Sequence, residues 1–399
     1  MANIAILGFG VVGSGVAEVI TQNLQTIETR IHQKLNIKYI LDLRDFPDSP
    51  FSHLVTHDFN DILNDKEVTI VAEMMGGSHP AYDFTLACLK AGKSVITSNK
   101  EVVANFGAEL LRTAEENNVR YLFEASVGGG IPIIRPLAND LSANIVRSID
   151  GILNGTTNYI LTKMHNEKTD FAKALSEAQK KGYAEANPTA DVEGIDAARK
   201  VVILAALAFG KLISPDAIYR EGISKITNED FDIAEKLGYS IKLIAHTEKV
   251  GGKILAMVCP RLVPLSNPLY SVQDVFNGIM VDTDMLGVAM FYGKGAGKLP
   301  TASAVVGDII DAAKMPENDA SFPVFETAMA SDIAQFESYS CRNLLILPRK
   351  TEGKVLGIGG DRTIMGDKLV LITEALSEKI MKQIVNELGD DLISRIRIL

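Results

Sequence analysis

The glycine pattern Gly8-Phe-Gly-Val-Val-Gly13 constrains the fold of this chain more than any other feature. It directly follows an apolar run at residues 4–7, and an apolar helix face resumes after it at Val16, Val19 and Ile20. In a strand–turn–helix unit the first glycine permits a tight turn, the second lets backbone amides approach a pyrophosphate, and the third lets helix and strand pack closely. The pattern predicts a dinucleotide-binding unit, with a purely structural glycine turn as the alternative.

The predicted pyrophosphate contacts are the residues of the pattern itself: Gly8, Phe9, Gly10, Val11, Val12 and Gly13. Four further apolar, non-alternating runs follow, at residues 38–41, 68–73, 94–97 and 120–123. Such runs, separated by helix-like segments, are typical of a parallel sheet covered on both faces. We therefore predict an α/β fold that begins with a Rossmann-type doubly wound parallel sheet over residues 1–135.

The end of the second predicted strand carries Asp42 and Arg44, later than usual because residues 28–36 lengthen the connection. A carboxylate there binds an adenosine ribose 2′-hydroxyl, whereas a guanidinium binds a 2′-phosphate. The choice between NAD(H) and NADP(H) stays open, with a slight preference for NADP(H). The alternative is that both are solvated turn residues.

Beyond this first domain, the 399 residues are numerous and apolar enough for two or three domains. We predict an α+β substrate-binding and dimerisation domain over residues 136–300, and a return of the chain at about 300–335 that completes the first domain. Residues 340–399 are predicted to form a small α+β domain. Its expected strands are residues 342–347, 355–358, 368–373 and 393–399, with a helix at 377–388.

The net charge of -10, without any basic run, disfavours nucleic acid as a partner. The longest apolar stretch, residues 201–209, is too short for a membrane helix, and the N-terminus has no signal-peptide pattern. Cys88, Cys259 and Cys341 are too far apart in sequence to form a metal-ligand pair or a disulfide framework. A cytoplasmic location is expected.

Two charged clusters are candidates for catalysis. Thr97-Ser-Asn-Lys100 follows the fourth predicted strand, and ligands of open α/β sheets are handled at strand ends. Asp196 and Lys200 are one helical turn apart, so their charges share a helix face. The alternatives are a solvated turn lysine and an ordinary surface ion pair.

Taken together, these residues resemble the homoserine dehydrogenase family over roughly residues 1–335. The resemblance rests on six ordered motifs: the glycine pattern, Thr97-Ser-Asn-Lys, Glu124-Ala-Ser-Val-Gly-Gly-Gly-Ile-Pro, Asn154-Gly-Thr-Thr-Asn-Tyr, residues 182–200, and residues 291–304. It implies the NAD(P)-dependent reversible reduction of L-aspartate 4-semialdehyde to L-homoserine, a step towards threonine, methionine and isoleucine. Ser98 departs from the alanine expected in the second motif.

The resemblance also implies residue roles. Lys200 exchanges a proton with the substrate oxygen, and Lys100 assists in positioning and proton movement. An ammonium there would stabilise the oxyanion that hydride transfer to an aldehyde leaves. The implied substrate residues are Glu185 for the ammonium group, Asp191 and Asp196 as supporting carboxylates, Thr156 and Tyr183. The implied cofactor residues, besides those above, are Thr97, Ser98, Lys100, Gly297 and Thr301.

Glu124, Val127, Gly129 and Ile131 match the family positions that bind a monovalent cation, sodium, mostly through backbone oxygens. Three consecutive glycines would let carbonyl groups converge on a hard ion. The alternative is a structural turn that holds no ion.

The tail resembles the end of an ACT domain, a regulatory amino-acid-binding module, but residues 349–354 stand where its first helix belongs. We therefore expect a degenerate ACT-like domain that serves association more than threonine sensing. Apolar strands in the second domain suggest a homodimer, with a homotetramer as the alternative.

Two other functions are weighed. An aspartate-semialdehyde dehydrogenase needs a nucleophilic cysteine, and Cys88 falls within a predicted helix. A nucleotide-responsive regulatory protein would leave the lysine–carboxylate cluster without a role.

Overall fold

The computed structural model describes residues 1–314 and 323–399, and its N-terminal part is a six-stranded parallel sheet of order β3-β2-β1-β4-β5-β6. Its strands are β1 (Ala2–Leu7), β2 (Leu35–Leu41), β3 (Val55–Thr56), β4 (Val68–Glu73), β5 (Ser94–Thr97) and β6 (Tyr121–Leu122). Its helices are α1 (Val11–Ile31), α2 (Phe59–Leu63), α3 (Ala81–Lys90) and α4 (Lys100–Glu116).

Burial on both faces explains why the strands of this sheet are continuously apolar. All six residues of β1 are buried, and alternate side chains contribute to two different cores. Ile4 and Ile6 pack in the core that contains α1, whereas Ala5 and Leu7 pack in the core that contains α3 and α4. Full burial of one such branched side chain contributes about 1.5–3 kcal/mol. The predicted Rossmann-type sheet is confirmed, and only the short strand β3 was missed.

A second, mixed sheet follows, of order β13-β12-β7-β10-β11-β20-β16-β18-β17, with β9 beside β11. Its strands in the middle of the chain are β7 (Val146–Ile152), β9 (Tyr219–Arg220), β10 (Tyr239–Val250), β11 (Lys253–Pro264), β12 (Phe276–Thr283) and β13 (Val288–Lys294). The accompanying helices are α5 (Gly155–Glu167), α6 (Phe171–Lys180), α7 (Thr189–Val192), α8 (Ile195–Phe209) and α9 (Asn228–Lys236). The short strand β8 (Lys211–Leu212) pairs with β14 (Glu326–Thr327).

The chain then returns to the first sheet through α10 (Lys298–Lys314). This helix packs closely on α1, since a Cβ on Gly15 would lie 3.0 Å from Lys298 Cγ and 3.1 Å from Ala302 Cβ. The helix therefore packs on the first helix of the N-terminal sheet. Residues 315–322 of that predicted segment lie outside the described residues, and the domain limits stay predictions.

The C-terminal strands extend the second sheet rather than forming a sheet of their own. They are β16 (Asn343–Pro348), β17 (Gly360–Met365), β18 (Lys368–Thr373) and β20 (Ser394–Ile398), with α11 (Glu378–Leu388), whereas β15 (Ser340–Cys341) and β19 (Leu376–Ser377) pair with each other in a separate two-stranded sheet. Strand β20 pairs in parallel with β11, Arg397 opposite Arg261. The predicted strand at residues 355–358 is wrong: a 3₁₀ helix, Arg349–Val355, buries Val355, and the strand begins only at Gly360.

Among the described residues, no helix combines the length and the apolar character needed to cross a lipid bilayer.

Candidate active site

A cavity of about 560 Å³ lies where the two sheets meet. Its walls come from the start of α4, the turn before α5, the loop before α7, the start of α8, and residues 294–297 between β13 and α10. Segments far apart in sequence thus line one space. Such a cleft between domains is where small-molecule sites commonly form.

Two lysines meet on one carboxylate at this cavity. Asp196 Oδ1 lies 2.9 Å from Lys100 Nζ, and Asp196 Oδ2 lies 2.7 Å from Lys200 Nζ. Lys200 also donates to the carbonyl oxygen of Leu153 at 2.7 Å. The structure therefore brings together the two ammonium groups that the sequence separates by a hundred residues.

Asn154 completes this cluster. Its side-chain amide donates to Asp191 Oδ1 at 2.7 Å and to Asp196 Oδ2 at 2.9 Å, and its own oxygen accepts from the amide of Thr157 as the cap of α5. One asparagine thus fixes both carboxylates relative to the helix. The sequence indicates Asn154 only as part of a motif, because an asparagine before a glycine is an ordinary turn residue until the fold places acids around it.

The charges of the cluster shift each other's proton affinity. Burial lowers the pKa of Lys200, and the neighbouring Lys100 ammonium acts in the same direction, while Asp196 opposes them. Asp196 raises the pKa of Lys100. Burial alone would raise the pKa of Asp196, but the two lysines hold it below its ordinary value. Lys200 is therefore the group of the pair that gives up its proton more readily.

Lys100 owes its position to the end of the parallel sheet. It is the first residue of α4, whose N-terminus is capped by the Asn99 side chain through the amides of Glu101 and Val102. Asn99 in turn donates its backbone N–H to Thr97 Oγ1 at 2.9 Å. A helix N-terminus disfavours a cation, so the Asp196 carboxylate offsets this unfavourable placement.

Glu73, which the sequence analysis missed, supports the same strand end. It is fully buried at the end of β4, where its carboxyl group accepts from Thr97 Oγ1 at 2.7 Å and from the Met75 amide at 2.6 Å. Burial raises its pKa to about 7, against the effect of those hydrogen bonds. A glutamate closing an apolar strand gave no sign that its side chain turns inwards.

The predicted substrate residues lie along the cavity wall. Glu185 is exposed at the cavity, and Asp191 is half-buried there with a pKa raised by burial. Thr156 Oγ1 donates to the carbonyl oxygen of Tyr183 at 2.6 Å, which joins the turn before α5 to the loop before α7. These residues and the lysine pair therefore face a common space.

The glycine pattern forms a close turn between β1 and α1. Gly8 has a positive φ of 89°, and a Cβ on Gly13 would lie 2.0 Å from the carbonyl oxygen of Gly8. A Cβ on Gly10 would meet nothing within 4 Å, and Gly10 caps α1 without a side-chain hydrogen bond. The first amides of α1 are thus not capped by a side chain, which suits an anionic ligand.

Asp42 and Arg44 lie beside this turn. Asp42 Oδ2 accepts from the amide of Phe9 at 2.8 Å, and the Arg44 guanidinium contacts both carboxylate oxygens at 3.0 and 3.1 Å. The Arg44 ion pair is the main cause of the lowering of the Asp42 pKa to about 2. Phe9 is buried, whereas Val11 is exposed and Val12 half-buried at the start of α1.

The remaining predicted cofactor residues are Gly297, Thr301, Thr97 and Ser98, and of these Gly297 lines the cavity. Gly297, with a φ of 126°, lines the cavity, and its carbonyl oxygen accepts from the amide of Thr301 in the first turn of α10. Thr97 is buried at the end of β5, followed by Ser98.

The loop predicted to hold a cation does not offer the carboxylate of Glu124 to an ion. The buried Glu124 side chain accepts from the amides of Ile133, Ile134 and Arg135 and from the Arg135 guanidinium. Its carboxylate is therefore occupied. Across residues 1–314 and 323–399, no group of three or more His, Cys, Asp or Glu residues is arranged to hold a metal ion.

A dinucleotide turn on a Rossmann-type sheet, beside a cavity with a lysine–carboxylate cluster, defines the class of NAD(P)-dependent oxidoreductases. The family model of the homoserine dehydrogenase NAD binding domain matches residues 8–124, and the homoserine dehydrogenase model matches residues 132–310. The chain belongs to the homoserine dehydrogenase family, and its activity is that of a homoserine dehydrogenase.

Individual relatives agree. A homoserine dehydrogenase of Neisseria gonorrhoeae is 44% identical over 325 residues, which cover 81% of this chain and 74% of that protein. The crystal structure of a homoserine dehydrogenase from Thiobacillus denitrificans is similar with a TM-score of 0.89 at 32% identity, covering 100% of this chain and 98% of that one. A hyperthermophilic archaeal homoserine dehydrogenase mutant, in complex with NADPH, is similar over 79% of this chain and 99% of its own, with a TM-score of 0.67 at 31% identity.

Proposed function

We propose that the cavity at Asp196 is where L-aspartate 4-semialdehyde and L-homoserine are interconverted, with Lys200 exchanging the proton at the substrate oxygen. One observation carries this proposal: a single buried carboxylate joins the ammonium groups of Lys100 and Lys200 at the cavity wall.

The hydrogen bonds of Lys200 leave it ready to act on a ligand. An ammonium group has three protons, and Lys200 directs two of them to Leu153 and Asp196. The third is available to an oxygen in the cavity. When bound, the nicotinamide supplies or accepts the hydride. The oxyanion formed at the aldehyde is then stabilised and protonated by Lys200, and in the reverse direction its lowered pKa eases uptake of the hydroxyl proton.

Lys100 has a supporting role in this proposal. Its side chain is more exposed than that of Lys200, 37% against 10%, and it shares the Asp196 carboxylate. It keeps a second positive charge near the developing oxyanion and lowers the proton affinity of Lys200. Lys100 therefore assists positioning and proton movement.

The acidic wall suits a zwitterionic substrate. Glu185 is exposed at the cavity and is proposed to bind the substrate ammonium group, with Asp191 and Asp196 as supporting carboxylates. Thr156 and Tyr183, joined by their hydrogen bond, would border the substrate on the same wall. The substrate oxygen would then point to the lysines.

Lys200→Met provides the test. The substitution keeps the length of the side chain but removes the proton donor, so kcat for homoserine oxidation should fall by about 10²–10⁴-fold. Steady-state kinetics with each nicotinamide cofactor measures the effect. The control is Lys180→Met on the exposed end of α6, which should leave kcat unchanged. Comparable turnover in the two variants would remove Lys200 from the role of proton carrier.

For the cofactor, we propose a preference for NADP(H). Arg44 is 64% exposed at the end of β2 and could leave Asp42 for a 2′-phosphate. The NADPH bound by the archaeal relative supports this choice. Thr97, Ser98, Gly297 and Thr301 would surround the nicotinamide half.

For the cation, we propose that backbone oxygens of Glu124, Val127, Gly129 and Ile131 bind sodium. Among the described residues, the carbonyl oxygens of Val127, Gly129 and Ile131 accept no backbone hydrogen bond, and carbonyl oxygens suit a hard monovalent ion. The site would need no carboxylate cluster. Activity measured in sodium against a large organic cation is the test.

For assembly, we propose a homodimer through the strands that the second domain, residues 136–300, contributes to the second sheet, with a homotetramer as the alternative. Strand β13 lies at the edge of that sheet, and Met285, Leu286, Val288 and Tyr292 around it are exposed apolar side chains. Unpaired strand edges with such side chains invite association. Light scattering distinguishes the two states.

For the tail, we propose a degenerate ACT-like domain that serves association. Its antiparallel strands are ordered β20-β16-β18-β17, the order of a βαββαβ unit, with the 3₁₀ helix Arg349–Val355 in place of the first helix. Strong inhibition of activity by threonine would contradict this role.

A further inference from the structure

Two stretches of chain that pass between the sheets run against each other beside the cavity. They are residues 124–131, after β6, and residues 294–297, before α10. The amide of Gly130 donates to the carbonyl oxygen of Lys294 at 3.4 Å, and a Cβ on Gly129 would lie 2.6 Å from the carbonyl carbon of Gly295. Only glycine permits so close an approach.

These stretches connect the two sheets, which is where a hinge between them would lie. Gly129 and Gly297 have φ values of 56° and 126°, conformations that other residues rarely adopt. Hinges are a few connecting residues that absorb the backbone rotation of domain closure. Residues 294–297, named here the strap, also line the active-site cavity. A rotation at the hinge would therefore move the strap over a bound ligand.

Asn277 lies directly beneath the strap. It is fully buried on β12, opposite Gly293 of β13, and a Cβ on Gly295 would lie 2.1 Å from its Nδ2 atom. Its Oδ1 atom is 3.5 Å from the position of a Cβ on Gly155, in the turn that lines another wall of the cavity. The carboxamide is thus wedged between two backbone segments of the active site.

The Asn277 carboxamide has no hydrogen-bond partner among the described residues, for either its nitrogen or its oxygen. Buried polar groups in native proteins are nearly always hydrogen-bonded, and an unpaired one is unfavourable. A side chain that is unpaired in one arrangement and lies against a connecting backbone segment favours a second arrangement in which it is paired.

We infer that Asn277 is a positioning residue for the strap: its carboxamide hydrogen-bonds the backbone of residues 294–297 when the strap closes over cofactor and substrate. The inference rests on the proposed function of the cavity. Closure pairs a carboxamide that has no partner among the described residues, so the bond would stabilise the closed arrangement selectively. Asn277 thereby links ligand binding to the geometry around Lys200.

Asn277→Val tests this inference, because valine is close in volume, suits a strand and has nothing to pair. We expect the unliganded variant to melt at the same temperature as wild type or a few degrees higher. With NADPH and L-homoserine, a pair that cannot react, amides of the strap should exchange hydrogen about 10-fold faster than in liganded wild type. For Asn277→Asp, which keeps an acceptor, the exchange rate of the strap amides should lie between those of liganded wild type and liganded Asn277→Val.

Each outcome decides the matter. A lower melting temperature of unliganded Asn277→Val, with full ligand protection of the strap, would mean that Asn277 is merely structural. Crystal structures showing the carboxamide bonded to the same ordered water with and without ligands would also overturn the inference. If wild type itself shows no ligand-induced protection of the strap, the proposed function of the cavity fails together with it.

Discussion

The glycine turn at residues 8–13 and the charged cluster around Asp196 differ in which part of the chain forms them. The turn is local in sequence and consists of backbone: Gly8 and Gly13 approach within a distance that no side chain would permit. The cluster is assembled from side chains of α4, α8 and the turn before α5. Substitutions in the turn should therefore act by steric clash, and those in the cluster by changing the charge.

The sharpest test of the cluster is Asp196→Asn, which keeps the shape but removes the charge. Two lysines then lose their common partner at a buried site, where unpaired charges are costly. We expect kcat for homoserine oxidation to fall on the order of 100-fold. Because Asp196 raises the pKa of Lys200, its loss should lower that pKa further. The increase of kcat/KM with rising pH should therefore shift to lower pH.

The matched control for Asp196→Asn is Asp170→Asn, at the exposed cap of α6 outside the cluster. It should leave the pH profile in place even where it alters stability slightly. If the pH dependence of kcat/KM is the same in Asp196→Asn as in wild type, its rise with pH does not report the titration of Lys200.

Two alanine substitutions test the glycine turn at the other end of the site. A methyl group on Gly13 would collide with the Gly8 carbonyl, so Gly13→Ala should lower the melting temperature; overpacking costs about 1–3 kcal/mol. A methyl group on Gly10 meets nothing within 4 Å, and Gly10 has an ordinary φ of -77°, so Gly10→Ala should melt like wild type.

Binding should separate the same two variants. The methyl group of Gly10→Ala would occupy the space through which a pyrophosphate approaches the amides of α1, so the Kd for NADPH should rise about 10-fold despite the intact fold. Fluorescence titration and thermal melting, made on the same samples, measure both effects. Unchanged NADPH affinity in Gly10→Ala would mean that the pyrophosphate lies elsewhere.

The same contrast decides what could be predicted from the sequence. The apolar runs of β1, β4 and β5 identify a sheet buried on both faces, and they were predicted nearly to the residue. Strand β17 was not, because its Asp361, Arg362 and Thr363 are exposed and only pairing with β18 makes them a strand.

Within the candidate site, the two lysines were predicted as functional residues, whereas Asn154, which stood only within a motif, and Glu73 and Asn277 were not. Each is a common polar residue whose importance arises from burial, and burial depends on contacts between segments distant in sequence. No local pattern announces that a polar side chain turns inwards. The buried polar residues are therefore the part of the site that is hardest to predict from the sequence.

Arg44→Ser should have the smallest effect. It tests the charged side chains that lie beside the glycine turn. Asp42 is tied to the backbone of the turn through the Phe9 amide, while Arg44 pairs with Asp42 at the surface and lies over the Phe46 ring. The Arg44 side chain is 64% exposed, and a surface ion pair contributes about 0–1 kcal/mol, so Arg44 can leave Asp42 for a 2′-phosphate at little expense. Losing that charge-assisted contact should reduce the preference for NADP over NAD about 10-fold in kcat/KM. Asp42→Asn should act in the opposite sense, since it weakens the acceptor for a 2′-hydroxyl and releases Arg44. If both variants changed the two cofactors equally, the end of β2 would serve only to brace the glycine turn.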